Sequence, residues 1–240
     1  MTNQDHRPEG QPTYPQPTYE LEPDAAHVLL IRHGQSAPFI PGRPFDLIEG
    51  HGDPALSPLG LRQATQVGNR LASEPITAIY TSSLTRTKQT ADPLATRLGI
   101  TPSAEHDLRE INLGVVEGGL LRELSARNDP IVTRMRAVRD WGAIPEAESN
   151  EELRARTSTV IDRLADKHTG ELIAVFCHGG VIGALLGHAT GAHPFNFTGS
   201  RHTGVSHLVI SSEGWRVRRF NDNGHAGSLS ADETLTDPAS

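Results

Sequence analysis

Two short runs, His27-Val28-Leu29-Leu30-Ile31 and Leu172-Ile173-Ala174-Val175-Phe176-Cys177, are apolar at nearly every position rather than at alternate ones. A strand with one wet face alternates, whereas a strand covered on both faces does not. Each run is shorter than an ordinary helix, and each is followed by a His-Gly pair in which the apolar pattern stops. Both runs predict strands of a parallel sheet, and such a sheet needs helices on both of its faces.

The segments between and around these runs supply the helices. Ser57-Pro58 is an N-cap followed by proline at the first helical position. The helix it opens carries Leu61, Ala64, Val67, Gly68 and Leu71 at helical spacing and ends near Pro75. Thr77-Ala78-Ile79-Tyr80 reads as a further strand, and Ser82 and Ser83 are positioned to cap a helix through Ala91 and Leu98 that stops at Gly99. Residues 120–148 are irregular and charged, which predicts a helical insertion. Ser149-Asn150 opens a long amphipathic helix with Leu153, Val160, Ile161 and Leu164 on one side. Gly179-Gly180 opens another through Ile182, Leu185 and Leu186. Val205–Ile210 and Trp215–Phe220 flank a turn at Ser212-Glu213-Gly214. Strands alternating with helices predict an α/β fold, a three-layer α/β/α sandwich around a mostly parallel sheet with a short helical insertion.

The 240 residues suit one domain with a substantial core. Hydrophobic content of 36% is low because two polar ends dilute it. Residues 1–26 hold five prolines and a repeated Gln-Pro-Thr-Tyr, and residues 221–240 are rich in Gly, Ser, Asp and Asn. Neither end has enough apolar surface to offset its ordering entropy, so both are expected to be flexible tails around a domain at 27–220. The net charge of −7 also belongs to these ends: the tails together carry −8, leaving residues 27–220 near +1. No dense basic cluster points to nucleic acid. A single cysteine, Cys177, excludes a disulfide framework and a cysteine-based zinc site. With no secretory segment and no apolar run of about 18 residues, no membrane association is expected, and a soluble cytoplasmic protein is the default.

In open α/β sheets ligands sit beyond the carboxyl ends of the strands. Arg32-His33-Gly34 and His178-Gly179-Gly180 both fall there. A lone histidine at a strand end is more often a hydrogen-bonded rim residue. Two His-Gly strand ends accompanied by Arg32 and Arg86 point instead to phosphate chemistry. Neutral imidazole is a competent nucleophile towards phosphorus, and fixed guanidinium groups meet phosphate oxygens in pairs. Gly34, Gly179 and Gly180 let backbone approach an anion closely, and a helix opening near Gly180 directs N–H groups at it.

These residues resemble the motifs of the histidine phosphatase superfamily, in its phosphoglycerate-mutase-like branch. Leu30-Ile31-Arg32-His33-Gly34-Gln35-Ser36 is similar to the family's opening signature, and Leu56-Ser57-Pro58-Leu59-Gly60 through Gln63-Ala64 to its first-helix motif. Tyr80–Thr87 through Thr90-Ala91 resembles the segment of the second arginine. Leu108-Arg109-Glu110 with Gly114 and Glu117-Gly118 resembles the acid segment, and Cys177-His178-Gly179-Gly180 the second histidine motif. The resemblance runs in order from about residue 27 to 211. It implies that His33 becomes a phosphohistidine, that Arg32, Arg86, His178 and Gly179 hold the phosphoryl oxygens, and that Glu110 is the general acid and base. The implied substrate is a small phosphorylated molecule, and the scheme requires no metal and no cofactor.

The sequence also departs from the family. Many relatives carry an asparagine a few residues after the first His-Gly, where Phe39 stands here, and Arg43 or His51 are the candidates to replace it. His202 lies where some relatives have asparagine, and Glu117 competes with Glu110 for the acid role. Arg122, Arg127, Arg134, Arg136 and Arg139 load the insertion with cations, which keeps mutase-type transfer or selection of an acidic substrate open. A non-catalytic phosphate-binding module is the alternative from another class. Cysteine-phosphatase chemistry is excluded, because it needs an arginine where Gly183 stands, six positions after Cys177.

Overall fold

The computed structural model describes residues 22–230 together with 12 and 14–16. In chain order the elements are β1 (Ala26–Arg32), β2 (Leu47–Ile48), β3 (His51–Gly52), α1 (Pro58–Leu71), β4 (Ile76–Ser82), α2 (Thr85–Leu98) and β5 (Ser103–Glu105). There follow α3 (Leu120–Ala126), α4 (Pro130–Val138), α5 (Asn150–Lys167), β6 (Leu172–Cys177), α6 (Gly179–Thr190), β7 (Val205–Ser211) and β8 (Gly214–Asp222). Six strands form one sheet in the order β5-β4-β6-β1-β7-β8. The first four are mutually parallel, and β7 and β8 pair antiparallel at the other edge. The α/β fold around a mostly parallel sheet is as the sequence predicts.

The continuous apolar character of β1 has a direct cause in the two cores. Val28 and Leu30 face a core shared with Leu153, Ile161 and Leu164 of α5 and Ile182 and Leu185 of α6. Leu29 and Ile31 face the opposite core, with Val67 and Leu71 of α1 and Leu94 of α2. Each fully buried side chain of this kind contributes about 1.5–3 kcal/mol, so neither face of β1 can be polar. Met135, Trp141 and Ile144 tie the insertion, α3 and α4, into the first core.

The folded unit reaches beyond the expected limits of 27–220. Ala25 and Ala26 are buried, and the His27 ring accepts from the Glu22 backbone N–H at 3.1 Å. At the other end β8 continues to Asp222, whose carboxylate pairs with Arg70 at 2.7 Å, and Ala226 is buried. The polar composition of 221–227 conceals these anchors because they lie on α1, far away in sequence. Most of the Pro-rich segment, its Gln-Pro-Thr-Tyr repeat and residues 231–240 lie outside the described residues. Among the described residues, no helix is long and apolar enough to cross a membrane.

Candidate active site

The parallel pairing of β1 with β6 sets Arg32 opposite Cys177, so the residues following the two strands emerge side by side. The His33 N–H donates to the Cys177 carbonyl at 3.0 Å, and the His33 and His178 rings meet edge-on with centroids 5.1 Å apart. His33 Nδ1 lies 2.7 Å from the Gly34 carbonyl. A carbonyl only accepts, so Nδ1 holds the ring proton and Nε2 keeps its lone pair. Thr90, on α2, accepts from the Gly34 N–H at 3.0 Å and pins this turn from below.

Arg86 occupies the first turn of α2. It donates to the Gly52 carbonyl at 2.9 Å and lies 3.9 Å from the Asp53 carboxylate. The expectation that Ser82 and Ser83 cap α2 is not met. The N-cap position is Leu84, without a side-chain bond, and the Thr85 N–H is satisfied instead by Asp53 at 2.7 Å. A cap donated from 32 residues away leaves no local trace in the sequence. Ser82 turns towards the site, with its Oγ 2.8 Å from His178 Nε2.

Glu110 also reaches this place. Its Oε2 accepts from the Gly180 N–H at 3.3 Å, at the opening of α6, and its Oε1 accepts from the Ile111 N–H at 3.0 Å. Arg156 holds the backbone behind it, donating to the carbonyls of Asp107, Arg109 and Glu110 while paired with Glu148 at 2.6 Å. Glu117 is committed differently. Its two oxygens accept N–H groups of Leu113, Gly52 and Gly118 at 2.8, 2.9 and 3.2 Å, so it fastens β3 to the acid segment.

Several of these residues line a cavity of about 170 Å³, whereas His178, with no solvent exposure, is not among its lining residues. Arg32, His33, Arg86, Glu110, Gly179 and Gly180 form its floor side, with Phe45, Ile111, Leu113, Leu121 and Trp141 among its apolar walls. His51 and His202 line it as well, and the His202 ring centroid is 6.1 Å from that of His33. Phe39 packs edge-on against Phe45, and Arg43 is exposed on the loop, so of the two candidates for the missing asparagine only His51 is brought to the cavity. Of the five insertion arginines only Arg122 lines it. Arg122 is fixed by bonds of 2.7 Å to the Ala37 carbonyl and Ser36 Oγ, and lies over the Phe45 ring. Phe45 and Trp141 carry no short-range motif, so pattern reading passes over them, and it reads Ser82 as a cap rather than as a partner of His178.

Burial, then the Arg86 and Arg32 charges and His202, hold the His33 imidazole well below its ordinary pKa, with the bond to Gly34 opposing them. Burial brings Arg86 down to about 10, against the pull of Glu110 and Asp53, so it stays cationic at neutral pH. Burial pushes the Cys177 thiol up, leaving it protonated and inert beneath the site. In an NMR titration of the ligand-free protein, His33 is expected to remain neutral at pH 6.5 and to protonate only well below it. A midpoint at or above 6.5 contradicts this electrostatic picture.

The family profile of the histidine phosphatase superfamily (branch 1) matches residues 28–223, which includes the last strand as well as the motifs before it. A probable phosphoglycerate mutase of Yersinia pestis is 30% identical over 213 residues, covering 86% of this chain and 97% of that protein. The mycobacterial glucosyl-3-phosphoglycerate phosphatase structure aligns with a TM-score of 0.67 at 25% identity, over 83% of this chain and all of that one. A phosphoglycerate mutase structure from Bacillus anthracis shares the fold with a TM-score of 0.70 at 20% identity, over 88% of this chain and 99% of that one. With its two His-Gly strand ends on one cavity and the family profile spanning nearly all of its described residues, the chain belongs to the histidine phosphatase superfamily, branch 1.

Proposed function

We propose that the chain is a cytoplasmic phosphomonoesterase that works through a phosphohistidine on His33. The observation that carries this reading is the setting of His33: a buried ring whose Nδ1 is tied to Gly34, leaving Nε2 as the other nitrogen, on a cavity that Arg32 and Arg86 also line. Such a nitrogen attacks phosphorus in line, forming the N–P bond as the ester P–O bond breaks. Arg32, Arg86, His178 and the Gly179 backbone stabilise the charge on the phosphoryl oxygens. Glu110 gives its proton to the leaving oxygen, then takes one from the water that attacks the phosphohistidine and releases inorganic phosphate. Glu117 is the less suited of the two carboxylates, since it accepts three backbone N–H groups and fastens β3 to the acid segment, whereas Glu110 accepts two, the one from Gly180 at a long 3.3 Å. A single buried cysteine suits a reducing compartment.

One observation favours a second reading. Arg122 brings an extra cation to the cavity wall, and the curated relative named above is a probable mutase. A mutase must keep water away from the phosphohistidine, and the two short helices of the insertion are a small cover for that purpose. Hydrolysis is therefore preferred, with a small phosphorylated substrate that carries a further acidic group near Arg122. A panel of phosphate esters read by phosphate release decides between the two. A hydrolase liberates phosphate, whereas a mutase exchanges it between monophosphoglycerates without net release.

Glu110→Gln is expected to lower kcat/KM for an alkyl phosphate by roughly 10²–10⁴-fold, yet to lower kcat/KM for p-nitrophenyl phosphate much less, since kcat/KM reports formation of the phosphohistidine and that leaving group needs no proton. Equal losses on both substrates contradict the acid role.

A further inference from the structure

His178 directly follows the buried strand β6; its ring has no solvent exposure and packs edge-on against that of His33, which lines the cavity. The β4–β6 register pairs Thr81 with Phe176, which places Ser82 beside the end of β6 and explains the 2.8 Å approach of its Oγ to His178 Nε2. The other ring nitrogen, Nδ1, is buried and has no partner among the described residues. A buried polar atom left so is costly unless a ligand completes it. In a phosphate pocket only an N–H at that nitrogen is useful, because a bare lone pair would face the lone pairs of the phosphoryl oxygens.

Burial first, then Arg86, His33, Arg156 and His51, hold the His178 ring well below its ordinary pKa. A neutral imidazole has one N–H, so whatever happens at Nε2 decides the state of Nδ1. Two hydroxyls govern Nε2. Ser82 Oγ accepts from the Leu84 N–H at 3.2 Å and lies 2.9 Å from Thr87 Oγ1. When Thr87 donates to Ser82, both lone pairs of the Ser82 oxygen are taken and its proton goes to His178 Nε2. Nδ1 then carries the ring proton. When Thr87 donates instead to the Leu84 carbonyl, 2.8 Å away, Ser82 donates to Thr87 and His178 donates from Nε2. Nδ1 is then bare. The two arrangements differ by two hydroxyl rotations and the position of one proton, and a bound phosphoryl group favours the first.

We propose that Ser82, oriented by Thr87, is a positioning residue that holds His178 as its uncharged Nδ1–H tautomer, so that His178 donates to the phosphoryl group. This rests on the cavity being a phosphoryl-transfer site. The direct test is ¹⁵N NMR of the His178 ring in the wild-type protein with vanadate or inorganic phosphate bound. The expected spectrum shows a protonated Nδ1 and a bare Nε2; a proton on Nε2, or on both nitrogens, overturns the proposal. In kinetics, Ser82→Ala is expected to lower kcat on p-nitrophenyl phosphate roughly 10- to 100-fold, with a smaller change in KM. Ser82→Thr, which keeps the hydroxyl, recovers most of that loss. A Ser82→Ala protein that loses thermal stability but keeps its kcat makes the serine a packing group only and refutes the proposal. The wild-type spectrum is read without turnover, so a failure to find phosphohistidine on His33 is a separate result that falls on the proposed function.

Discussion

Replacing His33 by alanine is expected to lower phosphomonoester hydrolysis by roughly 10⁴-fold or more, with little loss of thermal stability. The size follows from the chemistry: without Nε2 no covalent intermediate forms, and the surrounding cations can only bind the ester and polarise it. The stability expectation follows from the surroundings. The ring's one short hydrogen bond runs to the carbonyl of its own neighbour, Gly34, and two guanidinium groups face it. A group placed for the reaction rather than for packing can be removed at little cost to the fold. Cys177 cannot take over, since it is fully buried and its thiol is held protonated. A His33→Ala protein that retained a tenth of the activity would mean that another residue attacks phosphorus.

The second large effect concerns packing. Gly60→Ala is expected to destabilise the protein by about 3 kcal/mol or more, a fall in Tm of about 6–12 °C for a domain of this size. Gly60 lies in the first turn of α1, where its N–H donates to the cap Ser57 Oγ at 3.1 Å. A methyl group there would lie 2.0 Å from the Gln35 carbonyl oxygen, which is backbone and cannot rotate away. Gly34 meets Gly60 from the other side, where its own added methyl would come within 2.6 Å of the Gly60 carbonyl. The start of α1 thus fits directly against the turn after His33. The same substitution that lowers Tm should therefore also displace His33 and reduce kcat. Gly99→Ala is the control, since that glycine has a left-handed φ of 66° but open space around it. Its cost is expected to be about 1 kcal/mol. Equal stability of Gly60→Ala and wild type would contradict the close fit.

The layers of the fold were legible because burial on both faces writes itself into consecutive residues, as in Leu29–Ile31 and Leu172–Cys177. The two histidines were legible because each stands at the end of such a run, His178 directly and His33 after Arg32. What the chain brings in from elsewhere was not. Asp53 caps α2 across 32 residues, Arg156 holds the Glu110 segment across 46, and Arg70 anchors Asp222 across 152. Each of these acts through one side chain with no periodicity around it. Ser82 shows the difficulty most clearly. Its position before a helix predicted a cap, but the end of the neighbouring strand offered it His178 instead. The insertion was legible as helical and cationic, yet only the fold distinguishes Arg122, at the cavity, from Arg127, which pairs on the surface with Glu123.

Chemical quench during turnover of a rapidly hydrolysed ester, followed by peptide mapping at alkaline pH, tests the central claim most directly. The account expects one acid-labile, alkali-stable phosphoryl group on the peptide containing His33. It should accumulate further in Glu110→Gln when phosphohistidine hydrolysis is slowed. Turnover with no phosphoryl group on His33, or with one on another residue, would contradict the account.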